Sequence, residues 1–205
     1  MKKPYSESCD QNQDPILSII SPALSSASSV LEIGSGTGQH AIYFSEKMPH
    51  LVWHTSDCKP YLEGINMWLS DAGLSNVRPP FELDVTASTW PELHVDTVFT
   101  ANSIHIMNQQ DVVNFFSGVG RLLHEEGSLM IYGPFNYNGV YTSRSNESFD
   151  QWLKGRDPLS GIKHFEEMVS LANDNGMRLV SDYEMPANNR ILHFEKIIAP
   201  VCDSN

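Results

Sequence analysis

Gly34, Gly36 and Gly38 alternate within Leu31-Glu32-Ile33-Gly34-Ser35-Gly36-Thr37-Gly38-Gln39, between an apolar run and an amphipathic one. Residues without a Cβ let the chain turn tightly and let a ligand lie against the main chain. A helix starting just after them offers unpaired N–H groups to a negative group. Dinucleotides use such a loop as G-x-G-x-x-G, but Gln39 stands where the third glycine belongs. A Walker loop needs Gly-Lys-Ser/Thr, which is absent. A tight turn without ligand is the plain alternative, at the conformational cost of three glycines. Other chemistries find little support. The eight histidines are scattered with no ligand spacing, and Cys9, Cys58 and Cys202 are an odd set with no paired spacing.

The elements around the loop alternate. Val30–Ile33 reads as a strand, Gln39–Met48 as a helix, and Leu51–Trp53 as a second strand. A helix over Tyr61–Ala72 follows, stopped by Gly73. Strand three, Val77–Leu83, contains Pro79-Pro80, which confines it to a sheet edge. Strand four is Thr97–Ala101, then a helix over Asp111–His124 stopped by Gly127, then strand five, Ser128–Tyr132. Asp57 and Asp84 follow the second and third strands, and Asn102 and His105 follow the fourth.

Asp14-Pro15 is expected to open a short N-terminal helix, with Asp as cap and Pro at the first helical position. Gly133–Gly161 reads as a long excursion over the sheet. A last helix, His164–Asn175, precedes an antiparallel pair of strands, Arg178–Glu184 and Arg190–Ile198. The expected fold is α/β: a Rossmann-like, doubly wound, seven-stranded sheet, mostly parallel with an antiparallel last strand. Residues 1–205 are expected to form a single domain. Its parts are an N-terminal helical cap (1–28), a cofactor-binding half (29–132), a substrate-side excursion (133–163) and a C-terminal helix and strand pair (164–199).

The chain has 205 residues, enough for one core without staples. Its 13 Lys and Arg against 25 Asp and Glu give a net charge of −12, which repels phosphate backbones and anionic membranes. No secretory signal or spanning segment is seen. The expectation is a cytoplasmic protein with no nucleic-acid or membrane partner, its oligomeric state left open.

The string Glu-x-Gly-x-Gly-Thr-Gly after the first strand resembles motif I of the class I S-adenosylmethionine-dependent methyltransferases. The wider set is closer to the domain-of-unknown-function 938 (methyltransferase-like protein 26) family. It comprises Val30–Ala41, Asn76–Pro80, Phe99–Asn102 with His105-Ile106-Met107, Tyr132–Gly139 and Met185–Arg190. The resemblance runs from about Asp14 to Ile198.

It implies S-adenosylmethionine as cofactor and methyl transfer to a small-molecule acceptor. It also implies roles for particular residues. Glu32 faces the methionine ammonium, and Gly34, Ser35, Gly36 and Gly38 line the amino-acid and ribose part. Asp57 accepts from both ribose hydroxyls, as two carboxylate oxygens can. Asp84 and Val85 hold the adenine, and Ala101 and Asn102 lie near the methionine end. Plainer uses stay open: Asp57 as a helix cap, Asp84 and Asn102 as turn residues.

Should the nucleophile carry a proton, His105 is the candidate base, since its reference pKa near 6.5 suits that work. It could equally be a packed structural histidine. Tyr132, Asn136 and Tyr137 fall on the ligand-bearing edge and are candidate acceptor residues. No metal is expected, because Asp96 sits at the wrong end of strand four. A cofactor-binding module without catalysis is the competing reading.

Overall fold

A computed structural model describes residues 2–198; Cys202 lies outside them. Seven strands form one sheet in the order β3-β2-β1-β4-β5-β9-β8. They are β1 (Ser29–Ile33), β2 (Val52–Asp57), β3 (Val77–Glu82), β4 (Val95–Ala101), β5 (Leu123–Gly133), β8 (Met177–Met185) and β9 (Asn189–Lys196). β1 to β5 pair in parallel, and β9 runs antiparallel between β5 and β8. The doubly wound sheet and its antiparallel final strand are as the sequence leads one to expect. Pro79 and Pro80 lie on edge strand β3. The ladder steps over them, pairing His54 with Arg78 and then Ser56 with Phe81.

Strands buried on both faces read as continuous apolar runs. Leu31, Ile33, Val98, Leu129 and Ile131 point to one face, covered by α4 (Gln109–Leu122) and α6 (Phe165–Asp174). Val30, Phe99, Met130 and Tyr132 point to the other. That face is covered by α1 (Glu7–Ala23), α2 (Gln39–Lys47) and part of α3 (Leu62–Ala72). Phe44, Trp53 and Phe99 form an edge-to-face cluster at its centre, with ring centroids 5.6 to 6.0 Å apart.

Two local expectations are corrected. The N-terminal helix starts at Glu7 rather than Pro15, so Pro15 lies inside it. The residues before Pro15 are polar and show no apolar stripe; contacts to α2 hold them helical. Gly127 does not stop the fourth helix, which ends at Leu122 where β5 begins. Gly127 instead sits in an irregular stretch of β5, where an added Cβ would lie 2.8 Å from the His124 carbonyl and 2.9 Å from that of Asp96.

The excursion after β5 carries structure of its own. It holds a two-strand pair, β6 (Phe135–Asn136) with β7 (Lys163–His164), and a helix, α5 (Arg144–Arg156). α5 lacks an apolar period because two of its three buried residues, Asn146 and Asp150, are polar. Asp150 accepts from Tyr141 Oη (2.6 Å), Lys154 Nζ (2.6 Å) and the Ile162 N–H (2.7 Å).

Candidate functional site

The carboxyl ends of β1, β2 and β4 bring the glycine loop, Asp57 and Asn102 to one edge of the sheet. The loop glycines have φ of 76°, 59° and 90°, the left-handed region that side chains resist. Their missing Cβ atoms make room for different things. At Gly34 a Cβ would lie 2.4 Å from Ser103 Oγ, and at Gly38 it would lie 3.3 Å from the Ile65 backbone. At Gly36 it would meet nothing within 4 Å. The first and last glycines therefore admit protein, whereas the middle one faces open space. Ser35 is buried, and its N–H and that of Gly34 both donate to the Ser56 carbonyl. Gly38 precedes α2 directly.

Two acids flank this loop. Glu32 is 1% exposed, and its Oε2 accepts from the Trp53 indole N–H at 3.2 Å. Burial pushes its carboxyl up to about 7, against the pull of hydrogen bonds from Trp53 and Ser35. Asp57 ends β2. One of its oxygens accepts from the Gly36 N–H and the other from the Cys58 N–H, both at 2.7 Å. Burial raises its pKa, while those two N–H groups lower it. Each carboxylate oxygen of Asp57 keeps a further lone pair for a ligand.

Asp84 is exposed and closes a turn, accepting from the Thr86 N–H (2.8 Å) and hydroxyl (2.7 Å), which lower its pKa. Val85 is half-buried against the α4 side of the core. Ala101 ends β4. Asn102 follows at φ 58°, its N–H donating to the Tyr132 carbonyl at 2.9 Å.

The residues of the acceptor set are spread over neighbouring surroundings. His105 is 7% exposed, edge-on to Phe149 with ring centroids 5.1 Å apart. Tyr132 is buried and points to the α1 face, and that burial raises the pKa of its hydroxyl. Asn136 is 5% exposed, and its Oδ1 has no partner. Tyr137 donates to Asp182 Oδ2 at 2.8 Å and stacks on Phe165, with centroids 4.9 Å apart. Burial and the Asp182 carboxylate raise its pKa strongly. Among the described residues no three His, Cys, Asp or Glu gather as metal ligands, and no helix is long and apolar enough to cross a membrane.

Several neighbours of this site carry no motif. Trp53 shares a face with Glu32 because it pairs in register with Val30, two residues earlier on β1. Strand alternation signals this once the register is known. Ser103 has no such signal. Lys163 is also buried, its Nζ donating to the carbonyls of Met107 (2.7 Å) and Gly161 (3.0 Å).

Burial pushes both His40 and His105 down to about 4, with Lys163 adding to the effect at His105. An unfolded histidine binds its proton near 6.5. The stability these neutral rings contribute is therefore full above pH 6.5 and lost as pH falls towards 4, by about 3 kcal/mol per ring. Urea melts of His105→Gln should lose stability less steeply over that window than wild type. Glu32 works against the trend below pH 7, equally in both proteins. Equal slopes would mean that His105 is not held neutral by the fold.

The sheet is shared by solved methyltransferases. The chain is 17% identical to the S-adenosylmethionine-dependent methyltransferase SibL, with 93% of this chain and 56% of that one covered at a TM-score of 0.79. An O-methyltransferase family protein from Burkholderia thailandensis gives 13% identity, 93% and 58% coverage and a TM-score of 0.82. Human N-acetylserotonin methyltransferase in complex with SAM gives 14%, 94%, 53% and 0.78. The chain thus has the class I methyltransferase fold and spans little more than half the length of these structures. The profile of the family described as "protein of unknown function (DUF938)" matches residues 3–196. That match takes in the glycine loop, both flanking acids and the whole sheet, and the chain belongs to the DUF938 family.

Proposed function

We propose that the protein transfers a methyl group from S-adenosylmethionine to a small-molecule acceptor. The observation that carries this is Gly36, where an added Cβ would meet nothing within 4 Å, on a loop flanked by a buried Glu32 and a strand-end Asp57. The Glu32 carboxylate suits an ammonium, the loop an extended chain laid against the main chain, and Asp57 a cis-diol. These residues fit S-adenosylmethionine, on which SibL depends and with which N-acetylserotonin methyltransferase is in complex. When bound, S-adenosylmethionine supplies a methyl group already activated by its sulfonium, so alignment is the protein's main task.

In this reading Glu32 holds the amino group, and Gly34, Ser35, Gly36 and Gly38 support the amino-acid and ribose part. Asp57 orients the ribose, and Asp84 with Val85 bounds the adenine end. Ala101 and Asn102 border the reacting end, with the positive φ of Asn102 turning the chain away from β4. Tyr132, Asn136 and Tyr137 line the acceptor side. His105, neutral across the physiological range, accepts a proton at a ring nitrogen from an acceptor that must lose one. Its depressed pKa makes it a weak base, suited to a nucleophile whose proton is already labile. No metal ion takes part.

Asp57→Ala is expected to weaken S-adenosylhomocysteine binding by about 1–3 kcal/mol, because the diol loses its acceptor and the Gly36 N–H its partner. Calorimetry checks this, and wild-type affinity would mean that another acid holds the ribose. The reaction itself is tested by incubating the protein with methyl-labelled cofactor and a metabolite extract. Label appearing in a small organic product supports the proposal, and absence of any cofactor binding overturns it. Binding without transfer to any extract component favours a cofactor-binding module acting through a protein partner. Ile106, Trp152 and Leu159, 58%, 53% and 67% exposed, are the observation on that side.

A further inference from the structure

Gln39, the first residue of α2, is polar yet only 3% exposed, and it holds the start of the chain. Its Oε1 accepts from the Ser6 N–H at 2.6 Å, and its Nε2 donates to the Ser6 carbonyl (3.2 Å) and to Asp10 Oδ1 (2.8 Å). Lys3 Nζ lies 3.7 Å above the Trp68 ring and 2.6 Å from Asp71, and Trp68 Nε1 donates to the Pro4 carbonyl at 2.7 Å. The Pro4 ring occupies the space that a Cβ on Gly64 would need.

The same segment is tied to the glycine loop and the start of α2. Thr37, between Gly36 and Gly38, donates its hydroxyl at 3.0 Å to the same Gln39 Oε1 that holds the Ser6 N–H. Asn12 Oδ1 lies 2.7 Å from His40 Nε2, in the first turn of α2. Beyond Pro15 the character changes: Ile16, Ile20 and Leu24 are 0–1% exposed and packed in the core. Pro15 has no N–H to give the Gln11 carbonyl, so the helical ladder is broken between the polar half and the apolar half.

Glu32 is 1% exposed, so a ligand group can touch its carboxylate only if something above it moves. We infer that residues 3–14 form a movable wall of the cofactor cleft, latched by Gln39 and parting at Pro15 from the anchored half of α1. The inference rests on the methyltransferase reading and adds to it the route by which the cofactor enters and leaves. Each such hydrogen bond contributes modestly, so together they hold the polar half shut, yet it opens more readily than the packed apolar half.

Amide exchange of the full chain, with and without saturating S-adenosylhomocysteine, tests it. Residues 4–12 should exchange at least about tenfold more slowly with ligand, while residues 16–23 stay equally protected in both states. Gln39→Met keeps the volume and removes the latch, so ligand dissociation should speed up by about tenfold or more. If that variant fails to fold, the exchange measurement on the natural sequence decides alone. Ligand that binds with no change in residues 4–12, or a folded Gln39→Met with wild-type dissociation, overturns the wall and leaves the proposed function standing. No binding at all overturns both.

Discussion

Gly36→Val is expected to abolish binding of S-adenosylhomocysteine while the protein still folds. The new side chain meets no protein atom, because an added Cβ at this position has nothing within 4 Å. The conformational cost is confined to one residue at φ 59°, about 1–2 kcal/mol for a side chain in the left-handed region. A β-branched group there fills the space over the loop that a ligand must use. The neighbouring glycines make the contrast. Gly34→Val would collide with Ser103 and Gly38→Val with α3, so their losses would begin with the fold. Thermal melts with and without ligand separate the cases. Wild-type ligand stabilisation in Gly36→Val would show that the loop is only a turn.

Glu32→Gln should stabilise the ligand-free protein and weaken its hold on the cofactor. The buried carboxyl has its pKa raised from 4.5 to about 7. The folded chain therefore keeps a proton that the unfolded chain has released. Stability from this group is present below pH 4.5 and lost as pH rises through 7. Above pH 7 the ionised side chain costs the fold about 3 kcal/mol relative to a neutral one. Gln is neutral at every pH, and its carbonyl still accepts from Trp53. Denaturant melts at pH 8.5 should show Glu32→Gln more stable by roughly that amount, with the gap closing by pH 4.5. Calorimetry at pH 8.5 should show weaker S-adenosylhomocysteine binding, since an ammonium loses its counter-charge. A variant less stable at pH 8.5 would mean that the carboxylate is well paired without ligand. A buried, uncompensated acid is a structural cost that a cationic ligand group relieves.

Residue type and spacing alone determined the succession of the seven strands of the main sheet, the edge position of β3 and the glycine loop. These are local consequences of alternation, of proline's missing N–H and of glycine's absent Cβ. The position of Asp57 after the second strand was legible, and the role proposed for it came from the resemblance to methyltransferases. The first half of α1 and all of α5 were not legible. Both are held by polar residues that earn no apolar periodicity: Gln39 for α1 and Asp150 for α5. Tertiary structure alone decided which glycine faces open space, because that depends on Ser103 and Ile65, both distant along the chain. It also decided the protonation of Glu32 and His105, since burial is a property of what folds over a side chain. The sequence places an acid and a histidine at strand ends, but the low dielectric around them comes from elements many residues away.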